Sequence, residues 1–238
     1  ITRRLRIRAE RLDVSPRSDG TLLIFAGKVV LERLGEKLTC ERIECVLDDG
    51  PKGDKTCRSL QASGKVVRTL NGQTLQGDTA FFDQANERLT VTGAVRLTEP
   101  GLQADGQQLE HDAKANVTRL VAAEGKRVYL KSMRLGREAS EAYGKTALIT
   151  RDVKADLRVL QLDGAAEFTS EQGKVSAQRL IATDSRLQGD VLSGEGEVQG
   201  SADGNLFKAG KARWDLTRQE LQLDGRPRLI EPRGFEVA

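Results

Sequence analysis

One spacing returns seven times along this chain: an apolar residue, a small one two positions later, then mostly apolar or small residues five and seven positions from the start. It reads Ile7-Ala9-Leu12-Val14, Leu38-Cys40-Ile43-Cys45, Leu75-Gly77-Ala80-Phe82, Leu102-Ala104-Gln107-Leu109, Ala142-Gly144-Ala147-Ile149, Val175-Ala177-Leu180-Ala182 and Phe207-Ala209-Ala212-Trp214, and an eighth copy opens at Phe235 and Val237. A chain written this way is a stack of like units, and its function belongs to the repeated surface. Steps of two place side chains on one face of a strand, but the odd step from two to five reverses that parity unless an extra residue is absorbed there. Each copy therefore predicts a strand with a bulge or corner at its middle. The residue beside the irregularity is Ala, Gly or Cys in all seven complete copies, as expected where two walls of sheet converge.

A second motif alternates with the first, centred on Gly27, Gly64, Gly93, Gly125, Gly164, Gly196 and Gly225. Positions four and two before each glycine, and two and four after, tend to be apolar: Leu23, Phe25, Val29 and Leu31 about Gly27; Leu89, Val91, Val95 and Leu97 about Gly93. This places the glycine itself on the inward face, at a bend where backbones pass close together. Two copies are weak. About Gly125 the apolar residues Val128 and Leu130 fall at odd offsets, and about Gly64 the pattern puts Arg68 inside.

Turn-forming stretches punctuate the motifs, among them Asp48 to Gly53, Leu70-Asn71-Gly72, Asp83 to Asn86, Glu99-Pro100-Gly101 and Glu231 to Gly234. Asn, Asp, Gly and Pro each favour turns for a separate reason, so the punctuation predicts hairpins. No long stretch has helical periodicity. The expected fold is all-β, an antiparallel stack of about sixteen short strands, at roughly 15 residues per strand and turn. Two modules, 1–131 and 132–238, are expected within it. Aromatic content of 4% is low for a thick core and suits thin walls closing on one another.

The function classes that remain are few. Lys and Arg total 38 against 35 Asp and Glu, interspersed, which reads as a solvated outer face and not a nucleic-acid patch. One histidine, His111, excludes multi-histidine metal sites and reads as a solvated or strand-end residue. Asp83, Asp112, Asp152, Asp184 and Asp215 follow the first motif closely, but the Gly-Gly-x-Gly-x-Asp pattern of calcium-binding β-rolls is absent, so turn capping is expected of them. No serine lies in a Gly-x-Ser-x-Gly elbow. Neither an enzyme nor a cofactor is expected. The three cysteines fit no common zinc spacing. Cys45 and Cys57 are symmetric about Pro51, which places them opposite each other and makes a cross-strand disulfide one reading; three buried free thiols, with Cys40 at a small inward position, are the other.

The segments Ile7 to Leu12, Phe25 to Val30, Leu75 to Asp78, Leu89 to Val95 and Gly125 to Val128 resemble, in order, the successive motifs of the OstA-like (organic-solvent-tolerance) family. The likeness is closest over roughly residues 5 to 131 and continues more loosely to 238. It implies a β-taco, or open β-jelly roll, in which two antiparallel sheets meet in a V and an apolar groove holds lipopolysaccharide acyl chains. It also implies a periplasmic location and a bridge role, with related β-taco modules of inner-membrane and outer-membrane transport proteins as partners.

On this reading the groove is lined by Leu23, Phe25, Val29, Leu31, Phe82, Leu89, Val91, Val95, Leu97, Leu160, Leu162, Phe168, Leu221 and Leu223. Burying acyl methylenes there is worth roughly 0.8 kcal/mol each, so a few rungs could hold a lipid and let it slide. The competing reading is a β-solenoid scaffold with a dry interior, binding protein partners through its edge strands. Because no polar capping repeat is evident at either end, head-to-tail self-association is expected.

Overall fold

The computed structural model describes residues 6–18, 20–33, 35–49, 55–132, 139–152, 154–155, 157–185, 189–202, 204–230 and 236–237. The expected turns around Pro51 and at Glu231 to Gly234, and Phe235 of the eighth copy, lie outside them. The described elements are all strands, and among these residues no helix is long and apolar enough to cross a membrane. The chain divides into two compact units, Ile1–Ala115 and Asn116–Ala238. Between this division and the module boundary expected after residue 131 lie one short strand and most of the next.

In the first unit β1 (Arg6–Arg8) and β2 (Arg11–Arg17) pair with the two halves of β3 (Gly20–Arg33). An antiparallel meander continues through β4 (Glu36–Asp49), β5 (Lys55–Leu70), β6 (Gln73–Asp83), β7 (Arg88–Glu99) and β8 (Leu102–Asp112). The second unit repeats the plan. Its β9 (Val117–Val121) pairs with β12 (Thr146–Asp152), β10 (Val128–Ser132) pairs with β11 (Ser140–Gly144), and β11 and β12 share the two halves of β13 (Leu157–Ser170). From there β14 (Gly173–Ser185), β15 (Gly189–Ala202) and β16 (Asn205–Asp215) continue the meander, and β16 is shared by β17 (Glu220–Asp224) and β18 (Arg228–Ile230), with β19 (Glu236–Val237) on β18. Each unit is a β-taco whose long strands run down one wall, turn a corner and continue in the other. Where the corner breaks a strand, two short segments replace one long one, so the nineteen described segments make fifteen crossings, against about sixteen expected.

The corner is a pairing of unequal steps. On β3 four residues separate the inward Phe25 from Val29, whereas three separate Cys40 from Ile43 on β4. Gly27 and Lys28 therefore face Glu41 alone, and both take the left-handed conformation, with φ of 80° and 46°. The same two-residue signature recurs at Gly64–Lys65, Gly164–Ala165 and Gly196–Glu197. The extra residue thus lies in the glycine strand, not in the strand carrying the odd step, because only glycine enters the left-handed region without steric cost. The glycine does not face inward, as its spacing had implied. A Cβ on Gly27 would run into the side chain of Glu10, which is 62% exposed, and one on Gly64 would meet Glu41 Oε2 at 2.6 Å. A long polar side chain from the neighbouring strand lies over each of these glycines on the outer side.

Pairing then aligns the inward side chains in rows. In the first unit Leu12, Phe25, Ile43, Ala62, Ala80, Val91 and Leu109 form one row; Val14, Leu23, Cys45, Leu60, Phe82, Leu89 and His111 form the next on the same wall. Across the corner run Ile7, Leu31, Leu38, Arg68, Leu75, Leu97 and Ala104. The fourth copy of the first motif is out of phase by two. Leu109 joins the row of Ile43 and Ala80, and Gln107 is exposed at the corner, so the working copy is Ala104-Gly106-Leu109-His111. In the second unit Leu162, Leu180, Gly194, Ala212 and Leu223 form a row beside Leu160, Ala182, Leu192, Trp214 and Leu221. The wall opposite carries Leu130, Ala142, Phe168, Val175, Gly200, Phe207 and Leu229.

Both weak copies are accommodated. The Gly125 copy breaks its strand, and the residues between Val121 and Val128 absorb the odd offset, leaving Val128 and Leu130 buried. Arg68 does lie in an inward row, where its Nε meets Glu36 Oε1 at 2.6 Å. Four of the five repeated aspartates cap turns: Asp83 accepts the backbone N–H of Ala85 and Asn86, Asp112 that of Ala115, Asp152 those of Lys154 and Ala155, and Asp215 those of Thr217 and Arg218. Asp184 accepts Arg158 Nη2 at 2.6 Å across β13 and β14, and residues 186–188 that follow it lie outside the described residues.

Candidate functional site

The repeated surface is the inward face, and what a row offers depends on its distance from the corner. Val29, Leu31, Leu89, Val91, Val95, Leu97, Leu162 and Phe168 are buried within the walls. Leu23, Phe25, Phe82, Leu160, Leu221 and Leu223 share the same rows but are only half-buried. Phe25 and Leu23 stand next to the β2 end of their rows, and Leu221 and Leu223 stand at the β17 end. All fourteen expected residues therefore point inward, and the accessible ones gather mostly where a row ends.

The β2 end is the most open part of the first unit. Leu12 and Val14 continue the two rows of that wall, yet they are 52% and 56% exposed, whereas Ile43 and Ala62 further along are fully buried. Among the described residues β2 pairs with β3 alone, so its other edge offers unpaired backbone groups beside two apolar side chains. Sequence spacing had placed Leu12 and Val14 inward, but their accessibility depends on whether another strand covers β2, which spacing does not encode.

Few polar groups interrupt the rows. Arg68 and Glu36 neutralise each other within an apolar surround, and His111, half-buried, ends its row one residue from the end of β8. The thiol of Cys40 is pushed up to about 11, chiefly by burial. Cys45 and Cys57 are not opposite each other, as symmetry about Pro51 had implied: Cys45 pairs with Leu60 and Cys57 with Leu47. Their sulfurs are nonetheless 3.0 Å apart. Among the described residues the rows supply mostly apolar area, and the Cys45–Cys57 thiol pair is the main departure from it.

Two comparisons with known proteins give a match. Residues 74–186 match the family described as LptA/(LptD N-terminal domain) LPS transport protein. The matched stretch begins later and runs further than the motifs that carried the OstA-like resemblance. Among solved structures the chain is similar to LptH, the LptA homologous periplasmic component of the conserved lipopolysaccharide transport device from Pseudomonas aeruginosa, at 17% identity over 70% of this chain and 94% of that one, with a TM-score of 0.35. No curated protein matches significantly. The OstA-like lipopolysaccharide-transport family is the family this chain resembles.

Proposed function

We propose, from the transport-family match over residues 74–186, that this chain is a periplasmic lipid-binding bridge whose inward rows carry the acyl chains of lipopolysaccharide towards the outer membrane. The observation that carries the reading is the row through Leu12 and Phe25 to Leu109, apolar from end to end and accessible where it reaches β2. Each methylene withdrawn from water there contributes roughly 0.8 kcal/mol, and the absence of a deep polar anchor along that row favours sliding over trapping.

Displacement of a fluorescent fatty-acyl probe by lipopolysaccharide tests it. Leu12→Asp or Phe25→Asp should weaken binding at least about tenfold, because a carboxylate among acyl chains must be desolvated. Lys28→Asp, at a side chain 91% exposed on the outer side of the corner, should change it less than about twofold. Equal losses at all three positions, with folding intact, would place the lipid elsewhere. The full burial of Val29, Ile43 and Ala62 favours the second reading, a scaffold with a closed interior, and that reading prevails if no saturable binding is seen at micromolar concentrations.

The open β2 edge also supports head-to-tail association, with itself or with related β-taco modules, through strand addition that extends the rows. Such a contact is heterologous and need not close, so sedimentation over a wide concentration range should show oligomers that lengthen rather than stop at a dimer. A strict monomer that also fails to crosslink from β2 to any related module would remove this part of the proposal.

A further inference from the structure

The β4–β5 hairpin holds two of the three cysteines, and a bulge brings them together. On β5, Leu60 and Ala62 face inward, so regular alternation would turn Arg58 inward and Cys57 outward. The strand is not regular there. Val46 pairs with Ser59 but Leu47 pairs with Cys57, leaving Arg58 as the extra residue. Arg58 turns away, its Nη1 at 3.3 Å from Asp48 Oδ1, and Cys57 takes the inward place two residues along from Cys45. A bulge that re-aims one side chain is a built feature, and the side chain it re-aims here is a thiol.

We propose that Cys45 and Cys57 are a redox pair that closes to an intra-hairpin disulfide, with Cys57 as the point of entry for a disulfide-bearing oxidant. The sulfurs, 3.0 Å apart, need approach by only about 1 Å to reach bonding distance. Cys45 is buried and Cys57 half-buried, so an oxidant reaches Cys57 first. The hydrogen bond from Cys45 lowers the pKa of Cys57, and the same bond, with burial, raises that of Cys45. The Cys57 thiolate attacks one sulfur of the oxidant, whose S–S bond breaks and whose first thiolate leaves and takes up a proton. Cys45 then loses its proton and attacks the Cys57 sulfur of the mixed disulfide, expelling the second thiolate. Two electrons and two protons pass from the pair to the oxidant. Cys40 stands apart, its thiol donating to the Arg42 carbonyl at 3.4 Å, and takes no part.

This chemistry is independent of whether the rows carry lipid. The reduced chain should be equilibrated with oxidised glutathione, denatured in an alkylating agent, and subjected to intact-mass measurement and peptide mapping. One Cys45–Cys57 link and a single alkylated thiol at Cys40 are expected. Three alkylated thiols, or a link involving Cys40, would overturn the proposal. Direction is read separately: Cys45→Ala should accumulate the glutathione adduct on Cys57 at least about tenfold faster than Cys57→Ala acquires one on Cys45. Equal rates would overturn the assignment of Cys57 as entry point. The wild-type map stands even if a variant fails to fold.

Discussion

Ile43→Asp should unfold the Ile1–Ala115 unit, at a cost above about 4 kcal/mol. Ile43 has no accessible surface and sits between Phe25 and Ala62 in a row that runs the width of that unit, one residue from the corner. An aspartate there loses the hydrophobic contribution of a fully buried side chain, about 1.5–3 kcal/mol, and adds a carboxylate to a row of apolar side chains. Phe81→Asp is the matched control, since Phe81 is 44% exposed on the outer face of the same sheet, and it should cost less than about 1 kcal/mol. Denaturant unfolding of both variants decides the point. Comparable midpoints would mean that the row is not the core.

Gly200→Ala should be a strongly damaging single-methyl change in the second unit, destabilising it by about 3 kcal/mol. A Cβ on Gly200 would overlap the Lys174 carbonyl oxygen and come within 2.8 Å of Phe207 Cζ. The ring cannot yield easily, because Phe207 is 1% exposed and fills the neighbouring place in the same row. Gly204→Ala separates steric from conformational cost. Gly204 has a φ of 83°, but a methyl at that position would meet nothing within 4 Å, so only the left-handed backbone penalty applies, about 1–2 kcal/mol. Thermal unfolding should rank Gly200→Ala well below Gly204→Ala, and the reverse order would show that the wall can relax around residue 200.

The inward faces were legible because strand alternation survives the corner. Phe25 and Val29 are four apart, an even step, so the glycine motif keeps its parity even though two of its residues bulge outward. The glycine's own direction was not legible, since alternation assumes extended geometry and Gly27 is left-handed. The fourth copy was misphased because Leu102 and Ala104 begin a valid match two residues early; the polar Gln107 at an otherwise apolar or small position was the signal against it. The thiol pair was found for the wrong reason. Symmetry about Pro51 ignores the bulge at Arg58, and that bulge is what brings the sulfurs together.

The unequal steps at the corner also act as a key against misassembly. Rows of similar aliphatic residues discriminate poorly between registers, which leaves repeat sheets prone to slip by two residues or to skip a strand. Here a three-step strand can be seated only against a four-step one: two strands of the same kind would set bulge against bulge, or leave a corner without the residue that lets it turn. Strands must therefore be gained or lost in pairs, so that a unit grows by whole rungs. The edge formed by β1 and β2 is of the three-step kind, with Ala9 and Leu12 about the corner that Glu10 covers. Any strand added there must bring its own left-handed glycine, and neighbours lacking one are rejected by backbone geometry before side chains are compared.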